Sequence, residues 1–171
     1  MFSGVDIGLS VTSIITMNDK GKILFKSHFG SHINESLKNA THTHLSDRYR
    51  LYTNYFCNHF ESNKVGGTVL LEFPMGAFRG NALRIGELFG IYAWLLVDYT
   101  TSDHIFFPRP GEIKKYFTGN GIASKDQMIE ECKFRGYIPR DHHEADAIAA
   151  CLMGIEKYSK ITLKKNQPFL D

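Results

Sequence analysis

The chain has 171 residues, 43% of them hydrophobic and 22% charged, which is enough to bury one sizeable core and too little for two ordinary domains, so residues 1–171 are expected to form a single domain. Its formal net charge of +2 neither requires nor excludes a nucleic-acid partner, leaving that decision to the distribution of charge. Cys57, Cys132 and Cys151 are far apart and form no C-x-x-C pair, which argues against a disulfide framework and for reduced thiols in a cytosol-like compartment; the absence of a leader pattern or of a run approaching about 18 apolar residues gives the expectation of a cytoplasmic protein with no membrane span.

In chain order, residues 2–7 (FSGVDI) and 12–18 (TSIITMN) are rich in β-branched and apolar residues, and the Asn18-Asp19-Lys20-Gly21 turn leads into a third run, KILFKSHF. This pattern predicts an N-terminal antiparallel meander. From about Thr43 to Phe60 the residues Leu45, Tyr49, Tyr52, Phe56 and Phe60 step by three or four, the period of an amphipathic helix. Gly66-Gly67 closes a turn before TVLLEF, a short apolar run suited to a buried parallel strand, with Glu72 at its end.

Asn81 to Val97 reads as a helix whose second half, LFGIYAWLLV, is apolar almost all round, beyond what packing on one sheet face requires, so a subunit contact is expected there. A short strand at HIFF, the breaker PRPG, a helix from about Pro110 to Phe117, a TGNG turn and a helix from Ser124 to about Arg135 follow. The last helix begins near Asp141 and is expected to bury Ile148, Leu152 and Ile155. The basic tail after about residue 158 reads as peripheral. Five strands interleaved with helices in this order predict an α/β fold: one mixed five-stranded sheet with helices on both faces.

Two carboxylates fall at strand ends. Asp6 ends the first strand, with Gly8 leaving space for a ligand to approach, and Glu72 ends the second core strand. If those strands are parallel neighbours, both acids emerge at one sheet edge. Asp146, in the first turn of the last helix, is the third acid. Carboxylates this close repel one another unless a cation such as Mg²⁺ or Mn²⁺ neutralises them, and two such ions suit in-line hydrolysis of a phosphodiester. Asp141-His142-His143-Glu144 fits a D-x-x-E capping box, assigning Asp141 and Glu144 to structure. His143 and Asp146 share a helical face, so His143 is a ligand or proton carrier, with a first-turn polar residue as the alternative; His142 is placed on the solvent side.

The blocks VDIGLSVTS, VLLEF followed by GNALRIGELFG, PRPGEIKKYFTGNGIASKDQM and HHEADAIAA resemble, in order and spacing, the RuvC-type Holliday junction resolvases, including their bacteriophage-type members. The third block is the most specific, because its length and its glycine and lysine positions are hard to match by chance. The resemblance implies an RNase H-like fold, a homodimer and Mg²⁺-dependent nicking of two opposed strands at a four-way DNA junction, with a branch-migration helicase as a further partner. Asp6, Glu72 and Asp146 match the family's metal ligands, and His143 occupies a position where members carry Asp or His. Lys114 and Lys125 match two lysines near the scissile phosphate, whereas Lys115 reads as a surface lysine. Phe78 matches an aromatic that wedges into the junction, in a loop one residue shorter than the family's and with Phe73 as competitor. Arg79 and Arg84 read as phosphate contacts.

Other readings stay open at this level. VDIGLSVTS resembles the phosphate loop of sugar kinases and actin-like ATPases, but these need two such lobes. A zinc module of His42, His44, Cys57 and His59 fits no common finger spacing. A junction-binding protein without cleavage, a broader flap or branched-DNA nuclease and an RNA-processing relative differ from the resolvase mainly in substrate, which structure-selective proteins read through backbone shape.

Overall fold

Strand alternation sets the architecture. In the computed structural model, which describes residues 1–30, 45–74 and 82–159, β1 (Phe2–Asp6), β2 (Thr12–Met17) and β3 (Ile23–Phe29) form the expected antiparallel meander. The Asn18–Gly21 turn is closed by the Gly21 N–H donating to the Asn18 carbonyl at 3.2 Å. Helix α1 (Leu45–Ser62), strand β4 (Thr68–Leu71), helix α2 (Ala82–Leu96), strand β5 (Ile105–Phe106) and helices α3 (Pro110–Thr118), α4 (Lys125–Phe134) and α5 (His142–Tyr158) follow. The sheet order is β3-β2-β1-β4-β5, with β4 parallel to both β1 and β5. The fifth strand is shorter than the HIFF run suggested, because His104 ends a 3₁₀ turn instead.

Successive strand side chains point to opposite faces. Phe2, Ile15, Met17 and Leu70 join one core with α3, α4 and α5; Val5, Ile14, Phe29, Val69 and Leu71 join a second core with α1 and α2. Of the expected stripe on α1, Tyr52, Phe56 and Phe60 are buried and Tyr49 is half-buried; Ile148, Leu152 and Ile155 on α5 are buried as read. On α2, Leu88, Tyr92, Leu95 and Leu96 face the sheet, while Leu83 and Trp94 stay 73% and 69% exposed. Among the described residues no helix is long and apolar enough to cross a membrane.

Candidate active site

Period-two alternation places two carboxylates side by side. Asp6 shares the face of Phe2 and Gly4, and Glu72, two residues beyond Leu70, shares that same face. Because β1 and β4 are parallel neighbours, both acids emerge at the same edge of the sheet, and the Glu72 N–H donates to the Val5 carbonyl at 3.0 Å.

Helix α5 brings the remaining members. It crosses β1 so closely that a Cβ on Gly4 would lie 2.1 Å from the Ala147 carbonyl oxygen and 2.5 Å from the Cys151 nitrogen. Only a residue without a side chain allows that approach. Small residues on the helix side, Ala147, Ala150 and Cys151, complete it, and Cys151 Sγ donates to the Phe2 carbonyl at 3.0 Å. Contact at this range sets the first turn of α5 over the ends of β1 and β4. There His143 Nδ1 donates to Asp6 Oδ2 at 2.6 Å.

The electrostatics of the group are strongly perturbed. Burial first, then Asp6 and Asp146, pushes Glu72 up to about 9, with Lys114 opposing. Burial and Asp6 push Asp146 up to about 7, against the positive influence of Lys114, His143 and Lys125. The hydrogen bond to Asp6 raises His143 above the usual imidazole range. Glu72 and Asp146 are thus pushed toward their protonated forms, an effect that a bound cation would reverse. Among the described residues no three His, Cys, Asp or Glu side chains stand close enough to enclose one ion as they are. The donor set, three carboxylates and one imidazole, nevertheless suits a hard divalent cation in its chemistry, and such a charge would relieve the repulsion that contributes to raising Glu72 and Asp146. Lys114 and Lys125, from α3 and α4, are the cations that offset this negative charge, whereas Lys115 is exposed and has no such part.

The start of α5 departs from the expected capping box. Asp141 is the N-cap and accepts from the Glu144 N–H at 3.0 Å, but Glu144 does not bond back to it. Instead Glu144 is buried, accepts from the Arg140 N–H at 2.9 Å and is paired with Lys26 of β3. An ammonium from another strand, its own side chain largely exposed, outcompetes the local box because a buried carboxylate needs a countercharge. His28, next along the same face of β3, reaches Asp141 at 3.4 Å. His142, half-buried, makes a contact that its solvent-side placement did not include: its Nε2 bonds Lys125 Nζ at 2.8 Å, and its ring lies 4.0 Å from that of His143. Neither Lys26 nor His142 had a local signal, since their partners come from distant segments. Gly8 has a structural part as well. A Cβ there would lie 2.4 Å from the Val11 carbonyl oxygen and 3.5 Å from the His143 ring, so the tight β1–β2 loop beneath that ring itself requires the glycine.

Phe78 and Arg79, together with His42 and His44, lie outside the described residues. Arg84 is exposed on α2, which packs on the other face of the sheet. Phe73, 40% exposed beside Glu72, packs edge-on against Phe89 at 5.2 Å. His59 has both ring nitrogens engaged, by Thr16 and Ser27, inside the α1 face, so it is not free for a zinc module.

No protein-family model and no curated protein matches the sequence. Solved structures do. Thermus thermophilus RuvC superposes with a TM-score of 0.66 at 17% identity, over 90% of this chain and 93% of that one. T. thermophilus RuvC in complex with a Holliday junction substrate superposes with a TM-score of 0.64 at 18% identity, over 88% of this chain and 89% of that one. Matching along nearly the whole length, with a mixed sheet flanked by helices on both faces, the chain has the RNase H-like fold of RuvC.

Proposed function

We propose that this protein is a divalent-metal-dependent endonuclease that resolves four-way DNA junctions by paired, symmetric nicks. The observation that carries this reading is the convergence of Asp6, Glu72 and Asp146, with His143, at one end of two parallel strands, with Lys114 and Lys125 set against them. An RNase H-like fold shared along the chain with a protein solved on a Holliday junction supports DNA as the substrate class.

Asp6, Glu72 and Asp146 would hold Mg²⁺, with Mn²⁺ as substitute and two ions per site. When bound, the metal supplies Lewis-acid stabilisation of the attacking and leaving oxygens. The chain's own residues do the rest. Asp6 orients His143 through Nδ1, which leaves Nε2 of that imidazole as the atom able to ligate or to orient a water. Lys114 and Lys125 place positive charge where the pentacovalent phosphate gathers negative charge. Two opposed nicks require two such sites, so the reading includes a homodimer, and the exposed apolar residues Leu83 and Trp94 of α2 supply a face for it.

The test is incubation of the purified protein and Mg²⁺ with synthetic four-way, flap and linear duplex DNA, mapping every nick. Paired symmetric nicks in the four-way substrate, lost in Asp146→Asn with junction binding retained, are expected. Equal cutting of linear duplex would overturn the junction assignment. Undiminished cutting by Asp6→Asn, Glu72→Gln and Asp146→Asn would overturn the site.

A further inference from the structure

Lys125 occupies the first helical position of α4, where unpaired N–H groups already present partial positive charge and a lysine is electrostatically disfavoured. Its side chain is exposed and flexible, so an ammonium meant to meet a phosphate there would spend much of its time elsewhere. One contact restrains it: Nζ lies 2.8 Å from Nε2 of His142. An ammonium has three donors and no acceptor, so the imidazole accepts, which requires a neutral ring with its proton on Nδ1. That ring lies against His143, centroids 4.0 Å apart, and His143 donates to Asp6 at 2.6 Å. Lys125 is therefore tied to the helical turn that carries His143 and Asp146.

We propose that His142 is a positioning residue, which accepts a hydrogen bond from Lys125 and holds that ammonium beside the acidic group for the scissile phosphate. The choice of imidazole follows from charge. A carboxylate would neutralise the lysine it restrained, whereas a neutral ring takes one N–H and leaves the full charge and two N–H groups for phosphate oxygens. This role rests on the endonuclease reading above and adds to it a residue that contacts no substrate.

Single-turnover cleavage of a synthetic four-way junction in Mg²⁺ tests it. His142→Leu is expected to lower the rate about ten-fold with junction affinity unchanged, as loss of placement without loss of binding requires. His142→Gln, which keeps a neutral acceptor, is expected to restore most of that loss. In a Lys125→Ala background, His142→Leu is expected to have no further effect. Full activity of His142→Leu, or a loss that adds in full to that of Lys125→Ala, would overturn the proposal. ¹⁵N NMR of the His142 ring separates its failure from that of the nuclease reading. An unprotonated Nε2 that shifts on Lys125→Met is expected even in a protein that never cuts DNA; a protonated Nε2, or one indifferent to Lys125→Met, refutes the positioning role. Absence of cleavage by the wild-type protein would count against the endonuclease reading alone.

Discussion

The two faces of the sheet are built from different materials. On the α1–α2 face, large rings fill the space: Phe56 stacks on Tyr92 at 4.0 Å, packs on Phe60 at 5.0 Å, and Phe29 meets Tyr52 edge-on at 5.8 Å. His59, buried on this face, is held neutral between Thr16 and Ser27. On the α5 face, Gly4, Ala147, Ala150 and Cys151 let helix backbone lie on strand backbone, and charged groups crowd the strand ends. Large side chains bury more apolar area per residue, so the first face suits stability. Small ones bring elements close, and closeness is what places His143 and Asp146 beside Asp6. The α5 face gives up stability for a site, as functional regions commonly do.

The largest effect that would sharpen this contrast is opposite in sign for activity and stability. Glu72→Gln is expected to lower cleavage by on the order of a thousand-fold, about 4 kcal/mol of barrier, because a metal ligand is lost. The same change is expected to raise the melting temperature of the metal-free protein at pH 8, since it removes one of the mutually repelling acids. A fall in both quantities would show that Glu72 belongs to the fold and not to the site.

A pair of core substitutions comes next. Phe56→Ala is expected to cost about 3–5 kcal/mol of stability while the folded protein cuts at its normal rate, because the aromatic face does not position the acids. Gly4→Ala is expected to cost less stability, about 1–3 kcal/mol, yet to lower the rate of the folded protein about a hundred-fold by pushing α5 off β1. Denaturant melts and single-turnover rates measured on both variants would break the comparison if the two changes had the same profile.

The smallest effects lie in the pH dependence of the metal-free protein, where the two faces slope in opposite directions. Burial lowers His59 from 6.5 to about 4, so the unfolded chain binds a proton that the folded one refuses. The stability this histidine permits is therefore complete above its unfolded value and declines as pH falls toward about 4. Glu72 is raised from 4.5 to about 9, so here the folded chain holds the extra proton. Its contribution is complete below about 4.5 and is lost as pH rises toward about 9. His59→Gln is expected to flatten the acid limb and saturating Mg²⁺ the alkaline limb; a Mg²⁺-insensitive alkaline limb would argue against a cation at the acids.

Much of this was legible from local pattern. Short apolar and β-branched runs identify β1 and β4, and the acids at their ends follow because a strand's composition and its terminus are local properties. The same holds for the N-cap Asp141, satisfied within three residues. The Lys26–Glu144 pair joins residues 118 apart, and the Lys125–His142 bond joins residues 17 apart. No periodicity connects such positions, so Glu144 read as half of a capping box and His142 as a solvent-facing histidine.

By itself, the sequence determined which segments are strands and helices, which strands end in a carboxylate, and which helical face carries His143 and Asp146, because each of these is set by backbone periodicity within a few residues. Only the tertiary structure decided that β4 lies parallel beside β1 and that α5 rests directly on Gly4. It also decided that β3 supplies the countercharge for Glu144 and that His142 faces Lys125. Those outcomes depend on distance between segments, and distance is set by how side-chain volumes pack once the chain has folded.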